Sequence, residues 1–266
     1  MMWNANKRGL GVAAVVATAL LAGCGSSGSG TAASSVDTTT ASAGPSPSAL
    51  APINGKYAPS IDPANFVSRI DNPYFALLPG TGFHYAGVAE DGTTKQIDNE
   101  FVTRKTKRIM GVRATVIRDT VSQHGHPVER TFDWYAQDRW GNVWYMGEGT
   151  SELHHGHFTK ASDSWVGGSG GAQPGIIMPG HPARGQHYRQ EYYPGHAMDQ
   201  ARILGAGGPI TVPNGSYRRT LMTDETAPTI DPGVHEHKLY VKGVGDVKEQ
   251  TVTGNHEEIH LVSVTH

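Results

Sequence analysis

TFDWYAQDRWGNVWYMGEG, residues 131–149, reads as a β-hairpin. Its first arm sets Phe132, Trp134 and Ala136 against Asp133, Tyr135 and Gln137, and its second runs through Val143, Trp144, Tyr145 and Met146. Aromatic and β-branched residues at a period of two, broken by Gly141-Asn142, make a strong short-range hairpin signal. Three of the five tryptophans lie here, and such rings dominate the apolar area a core can bury. The hairpin therefore stands at the centre of a β-rich domain.

Working outward, strand-like runs precede it at Phe83–Ala89, Gln96–Lys105 and Val112–Ser122. Asp91-Gly92, Met110-Gly111 and His124-Gly125-His126 sit between them as turns. Further runs follow at His187–Tyr193, Ile210–Val212, Tyr217–Glu225, Val234–Val241, Val244–Val252 and Glu257–Val264, while Ala197–Leu204 suits a strand or a helical turn. The order predicts an all-β fold, an antiparallel meander forming a curved sheet or partly closed barrel, with one or two short helices. Asp62-Pro63 opens the best helix candidate, continuing over Ala64–Ile70, with Asp as N-cap and Pro at the first position. Ser162–Gly185, with its Gly167–Gly171 run and Pro174-Gly175, reads as a long irregular loop. There is no internal repeat, which excludes a propeller or solenoid.

The N-terminus carries an address. Lys7 and Arg8 precede a short apolar run, Gly9–Leu21, too short and wrongly flanked for a spanning helix. Leu21-Ala22-Gly23-Cys24 resembles a bacterial lipobox. The resemblance implies cleavage before Cys24 and diacylglycerol on its sulfur, which places the protein on the extracytoplasmic face of the cell membrane. As Cys24 is the only cysteine, no intramolecular disulfide can form. Residues 25–59 are Gly, Ser, Ala, Thr and Pro with few large apolar side chains, a composition that predicts a disordered tether. The expected division is a signal peptide over 1–23, lipidated Cys24 and tether over 24–59, and one β domain over 60–266.

A formal net charge of −2 with neutral histidines offers no basic stripe for phosphates, so nucleic acid is not an expected partner. The membrane, reached through the anchor, and a lipid or small amphipathic ligand are the expected partners.

The phrases DWYAQDRWGNVWYMGE, GAQPGIIMPGHP, YRQEYYPGHAMD and EHKLYVKGVG resemble a family of exported bacterial proteins of unassigned function, over most of Phe66–Val264. The resemblance implies a secreted, mostly β domain and brings no activity with it.

Several motifs bear on chemistry. Gly167-Gly168-Ser169-Gly170-Gly171 matches G-x-S-x-G, but a nucleophile elbow needs a strand before the serine and a helix after it, and neither is in evidence. Among 14 histidines, His124/His126, His155/His157 and His235/His237 are His-x-His pairs. Residues i and i+2 of a strand share a face, so a pair offers two imidazoles to one divalent transition metal. His235 and His237 are best placed, on a face shared with Leu239 and Val241, and His196 is a third candidate ligand; ordinary solvated histidine is the competing reading. A cupin-like pattern is incomplete, for no glutamate follows at the required offset. Glu191, His196 and Asp199, around the Pro194-Gly195 bend, can supply a general base and its orienting partner or, with His237, the metal site of a hydrolase. Trp134, Trp144, Tyr192 and Tyr193 are the candidates to line a ligand cavity, with Asp133 and Glu148 facing it or solvent. A non-catalytic binding domain is the leading expectation, with no cofactor, and a metal-assisted hydrolase the alternative.

Overall fold

A computed structural model describes residues 44–266. The expected signal peptide, the expected lipidation site Cys24 and the first part of the expected tether lie outside the described residues.

After the small hairpin of β1 (Ile70–Asn72) and β2 (Phe75–Leu77), the chain runs as a meander through β3 (Gly82–Val88), β4 (Lys95–Ile109), β5 (Val112–Gln123), β6 (His126–Gln137) and β7 (Val143–His154), with β8 (His157–Lys160) folded back on β7. Three short strands follow, β9 (Gln173–Met178), β10 (His187–Arg189) and β11 (Glu191–Tyr192), and then β12 (Gln200–Ala206). β13 (Ile210–Val212) and β14 (Gly215–Tyr217) form a separate hairpin before the last meander of β15 (Leu221–Thr226), β16 (His235–Val241), β17 (Gly245–Thr253) and β18 (Glu258–Thr265). β18 pairs with β3, joining the two meanders into one antiparallel sheet of 14 strands.

The sheet nearly closes into a barrel, and a single chain segment does the closing. Its two ends in pairing order, β10 and β11, are halves of residues 187–192, kinked at Gln190. The first half pairs with β12 and the second with β9. Gly175 on β9 lies so close to this kink that a Cβ there would fall 2.3 Å from the Gln190 carbonyl oxygen. The expected loop over 162–185 is thus corrected: Gln173–Met178 is a strand buried from Pro174 onward. Its Pro-Gly pair reads as a turn, but the glycine is there for close backbone approach.

The central hairpin forms as read, and Asp138 fixes its turn. Asp138 Oδ1 accepts from the backbone N–H groups of Trp140 (2.9 Å) and Asn142 (3.0 Å), and Oδ2 accepts from Asn142 Nδ2 (2.8 Å) and Trp144 Nε1 (2.9 Å). Gly141 takes the left-handed conformation this turn needs, φ 84°. Beneath it, Tyr135 stacks on Tyr145 at 4.7 Å, with Phe75 and Trp165 edge-on to the pair. The β1–β2 hairpin lies across one end of the sheet: Gln137 Oε1 accepts from the Asp71 and Asn72 N–H groups, and the Pro73 carbonyl accepts from Gly243.

Two further expectations are corrected. The helix predicted over 64–70 is one 3-10 turn, Pro63–Asn65, capped by Asp62; beyond it Phe66 bridges Asp138 and the Val67 N–H donates to the Gln137 carbonyl, so pairing with the hairpin draws the chain out straight. The tether does not extend to Pro59. A short helix, α1 (Pro47–Leu50), and Ala51 and Tyr57, both buried, pack on the domain. Arg189 donates to the carbonyls of Pro52 and Ile53, and the Tyr57 hydroxyl donates to the Pro174 carbonyl at 2.6 Å. Their partners are 117 to 137 residues away, so composition alone gives no sign of this docking.

Candidate functional site

Alternation along the strands sorts the charges by sign. Asp98, Asp119, Glu129 and Asp133 on β4, β5 and β6 are buried, as are Glu225, Glu236 and Glu249 on β15, β16 and β17. Lys238, 1% exposed, stands among the second group. Its Nζ lies 2.9 Å from Glu249, 3.3 Å from Glu236 and 3.9 Å from Glu225. Glu225 also accepts from Thr223, Tyr240 and Gln190. Gln96 donates to Glu257 at 2.7 Å and accepts from Gln123 at 2.8 Å.

One ammonium cannot neutralise so many carboxylates, and burial shifts the titration of most of them upward. Burial pushes Asp98, Glu129, Glu148, Glu191, Glu236 and Asp246 well above the usual carboxylate range. Burial likewise raises Asp119 to about 6, and Asp133 and Glu257 to about 7. Glu249 moves the other way: burial raises it, but the charge of Lys238, together with hydrogen bonds from Lys238 and Asp246, brings it below its ordinary value. The Tyr145 hydroxyl approaches both Asp133 (2.6 Å) and Glu148 (2.8 Å). It has one proton to donate, so a carboxyl proton must serve the other contact.

The solvent-exposed positions of the same strands carry cations: Arg118 and Lys107 share the face of Phe101 and Phe132, and Arg108 and Arg113 point to the other. Between residues 101 and 118 there are six, Arg104, Lys105, Lys107, Arg108, Arg113 and Arg118, and no acid. All but Lys107 are exposed, and Lys107 lies 3.1 Å above the Trp134 ring. Phe101, Arg118 and Phe132 stand side by side on β4, β5 and β6. Phe132 is 49% exposed and Phe101 37%. With His84, Asn99 and Arg130 they border a trough of about 580 Å³. Two guanidiniums and one carboxyl, Glu100, line it, so its charge is net positive. The Arg130 guanidinium lies 4.1 Å from the centre of the Phe158 ring, and that of Arg118 5.7 Å from Phe101. Apolar rings beside guanidiniums suit a ligand with an apolar body and an anionic head.

The residues singled out by sequence are dispersed. Glu191 and Asp199 do meet: both are buried, the Asp199 carbonyl accepts from the Gln190 and Glu191 N–H groups, and Glu191 accepts from Trp165 Nε1. His196 is exposed at the bend, stacked on Tyr193 at 4.2 Å, away from that pair. His235 and His237 share the half-exposed face of Leu239 and lie beside Asp224, with His235 Nδ1 at 2.9 Å from its Oδ1, while Glu236, Lys238 and Tyr240 take the buried side. Among the described residues no group of three or more His, Cys, Asp and Glu side chains has the geometry to hold a metal ion. Trp134 is buried under Lys107, Trp144 under its bond to Asp138 and the edge of Phe66. Tyr192 packs on Tyr57, with Arg189 over it. Each of these rings has its own partner. His124 and His155 occupy left-handed turn positions, and Ser169 lies exposed in a turn. The trough residues escape sequence reading, because alternation does not say which face of an arm meets solvent. The acid-free run of cations was the available signal.

No family model matches the chain, and no curated protein matches it in sequence. Solved structures that resemble it include a protein from Bacteroides fragilis, provisionally described as exported and of YmcC-like fold, at TM-score 0.40 and 11% identity over 74% of this chain and 100% of that one. Another, provisionally described as a lipoprotein from Parabacteroides distasonis, superposes at TM-score 0.39 and 9% identity over 73% of this chain and 99% of the other.

Proposed function

We propose that this chain is an extracytoplasmic lipoprotein, anchored through Cys24, whose β domain binds an amphipathic molecule with an anionic head and carries out no chemistry on it. One observation carries the reading of the site: two exposed phenylalanines flank Arg118, with Arg130 beside them, around a trough of a size typical for small ligands. The buried carboxyls are committed to one another, to Lys238 and to hydroxyl, amide and indole donors, which leaves them a structural role. The lipobox-like Leu21-Ala22-Gly23-Cys24 supports the anchor.

Calorimetric titration with dodecyl phosphate, using dodecyltrimethylammonium as the cationic control, tests the site. Arg118→Ala is expected to weaken dodecyl phosphate by roughly 10-fold or more, since a hydrogen bond to a charged group is worth about 1.5–3 kcal/mol. Equal binding of both amphiphiles, or an unchanged Arg118→Ala variant, overturns the reading. Palmitate labelling, lost in Cys24→Ala, tests the anchor separately.

A further inference from the structure

The cationic hairpin beyond the trough calls for a larger partner than one small molecule. β4 and β5 join through the left-handed Met110-Gly111 turn, and Arg104, Lys105, Arg108 and Arg113 project from this end with no acid in the run. The only carboxyls close along β4 are Asp98, which is buried, and Glu100, which lines the trough. The strand pattern therefore turns acids inward and presents arginine and lysine to solvent on both sides of the hairpin end, Arg108 and Arg113 on the face opposite to that of Phe101 and Phe132.

The geometry points to this end of the hairpin docking on an anionic lipid bilayer, with the guanidinium and ammonium groups of Arg104, Lys105, Arg108 and Arg113 on the phosphates. Charge complementarity selects the occupant: a dense, acid-free run of cations on both sides of one hairpin end fits a surface lined with phosphates. Reach is compatible with it. From Cys24 to Gly44 is 20 residues, at most about 70 Å of chain, enough for an anchored domain to turn this end to the membrane. The inference goes beyond the small-ligand reading: its cations are not those of the trough, and it takes from that reading only the Cys24 anchor.

The test is sedimentation of residues 44–266, which contain the whole nearly closed sheet and its core, with vesicles of phosphatidylcholine alone or with phosphatidylglycerol added. Binding is expected only to the anionic vesicles and should fall with added salt. Arg104→Glu/Lys105→Glu is expected to lower partitioning by at least 25-fold, about fivefold for each charge removed. The matched reversal Arg218→Glu/Arg219→Glu, at exposed positions elsewhere, is expected to change it less than twofold. Circular dichroism confirms that each variant is folded. Equal binding to both vesicle types, no binding to either, or equal losses in the two double variants overturns the proposal. Dodecyl phosphate binding without vesicle binding overturns it while leaving the trough reading intact.

Discussion

Replacing Lys238 with methionine tests whether the domain depends on the charge balance of its interior. The ammonium sits 2.9 Å from Glu249 and 3.3 Å from Glu236. At an effective dielectric of about 20 the Glu249 contact is worth about 6 kcal/mol before desolvation is counted. Burying the ammonium cancels several of those kcal/mol, so the pair contributes little relative to an apolar core. Removing one partner is a different matter, because Glu249, which Lys238 holds in its charged form, is left buried alone. The expected loss is about 3–5 kcal/mol at neutral pH, read from urea denaturation followed by tryptophan fluorescence. The loss should shrink toward pH 5, as Glu249 protonates and no longer needs a counter-charge. A cost under about 1 kcal/mol, or a lesion that grows on acidification, would refute the reasoning.

Other expectations follow from the same geometry. Asp119, Asp133 and Glu257 titrate at about 6, 7 and 7 when folded, against ordinary values of 3.8, 3.8 and 4.5. The folded state thus holds protons the unfolded chain releases, and stability should fall as pH rises from about 4 to 7, by about 1.4 kcal/mol per unit for each such proton. Glu249 and Glu258, lowered by Lys238 and Lys248, act in the opposite sense below their ordinary range. Melting temperature should therefore peak in mild acid; a maximum above pH 8 contradicts the protonated interior. Gly175→Ala drives a methyl group into the Gln190 carbonyl and should cost more than about 3 kcal/mol or abolish folding, whereas Gly125→Ala, with open space around it, pays only a backbone penalty of roughly 1–2 kcal/mol. Asp138→Ala removes four hydrogen bonds from the hairpin turn and should lower stability by about 2–4 kcal/mol in the same denaturation assay.

The sequence reveals elements whose signal is local. The hairpin at 131–149 is legible because Gly141-Asn142 and the alternating aromatics lie within one short window, and the flanking meanders follow from the same pattern. What escapes reading is set by distant partners. β9 hides behind Pro174-Gly175, where glycine serves the approach of the Arg189–Gln190 backbone rather than a turn. Residues 47–57 look like tether until Arg189 and Pro174 supply their partners. The acid interior is the largest surprise. Gln96 and Asp98, or Glu236 and Lys238, at alternate positions in a strand read as a solvent face, and only the register that sets Glu225 opposite Glu236 and Asp133 opposite Glu148 shows them gathered inside. The trough needs Phe101, Arg118 and Phe132 from three strands in one row, and no window of sequence contains such a row.

The central claim is that ligand is held on the outer face of β4, β5 and β6 and not inside the sheet. The most direct measurement is an anomalous difference map from crystals grown with 12-bromododecyl phosphate. Bromine density beside Phe101 and Phe132, with the phosphate within hydrogen-bonding distance of the Arg118 or Arg130 guanidinium, is the predicted result. Bromine density inside the sheet among Tyr135, Tyr145 and Trp165, or none at a concentration that saturates binding in solution, would contradict it.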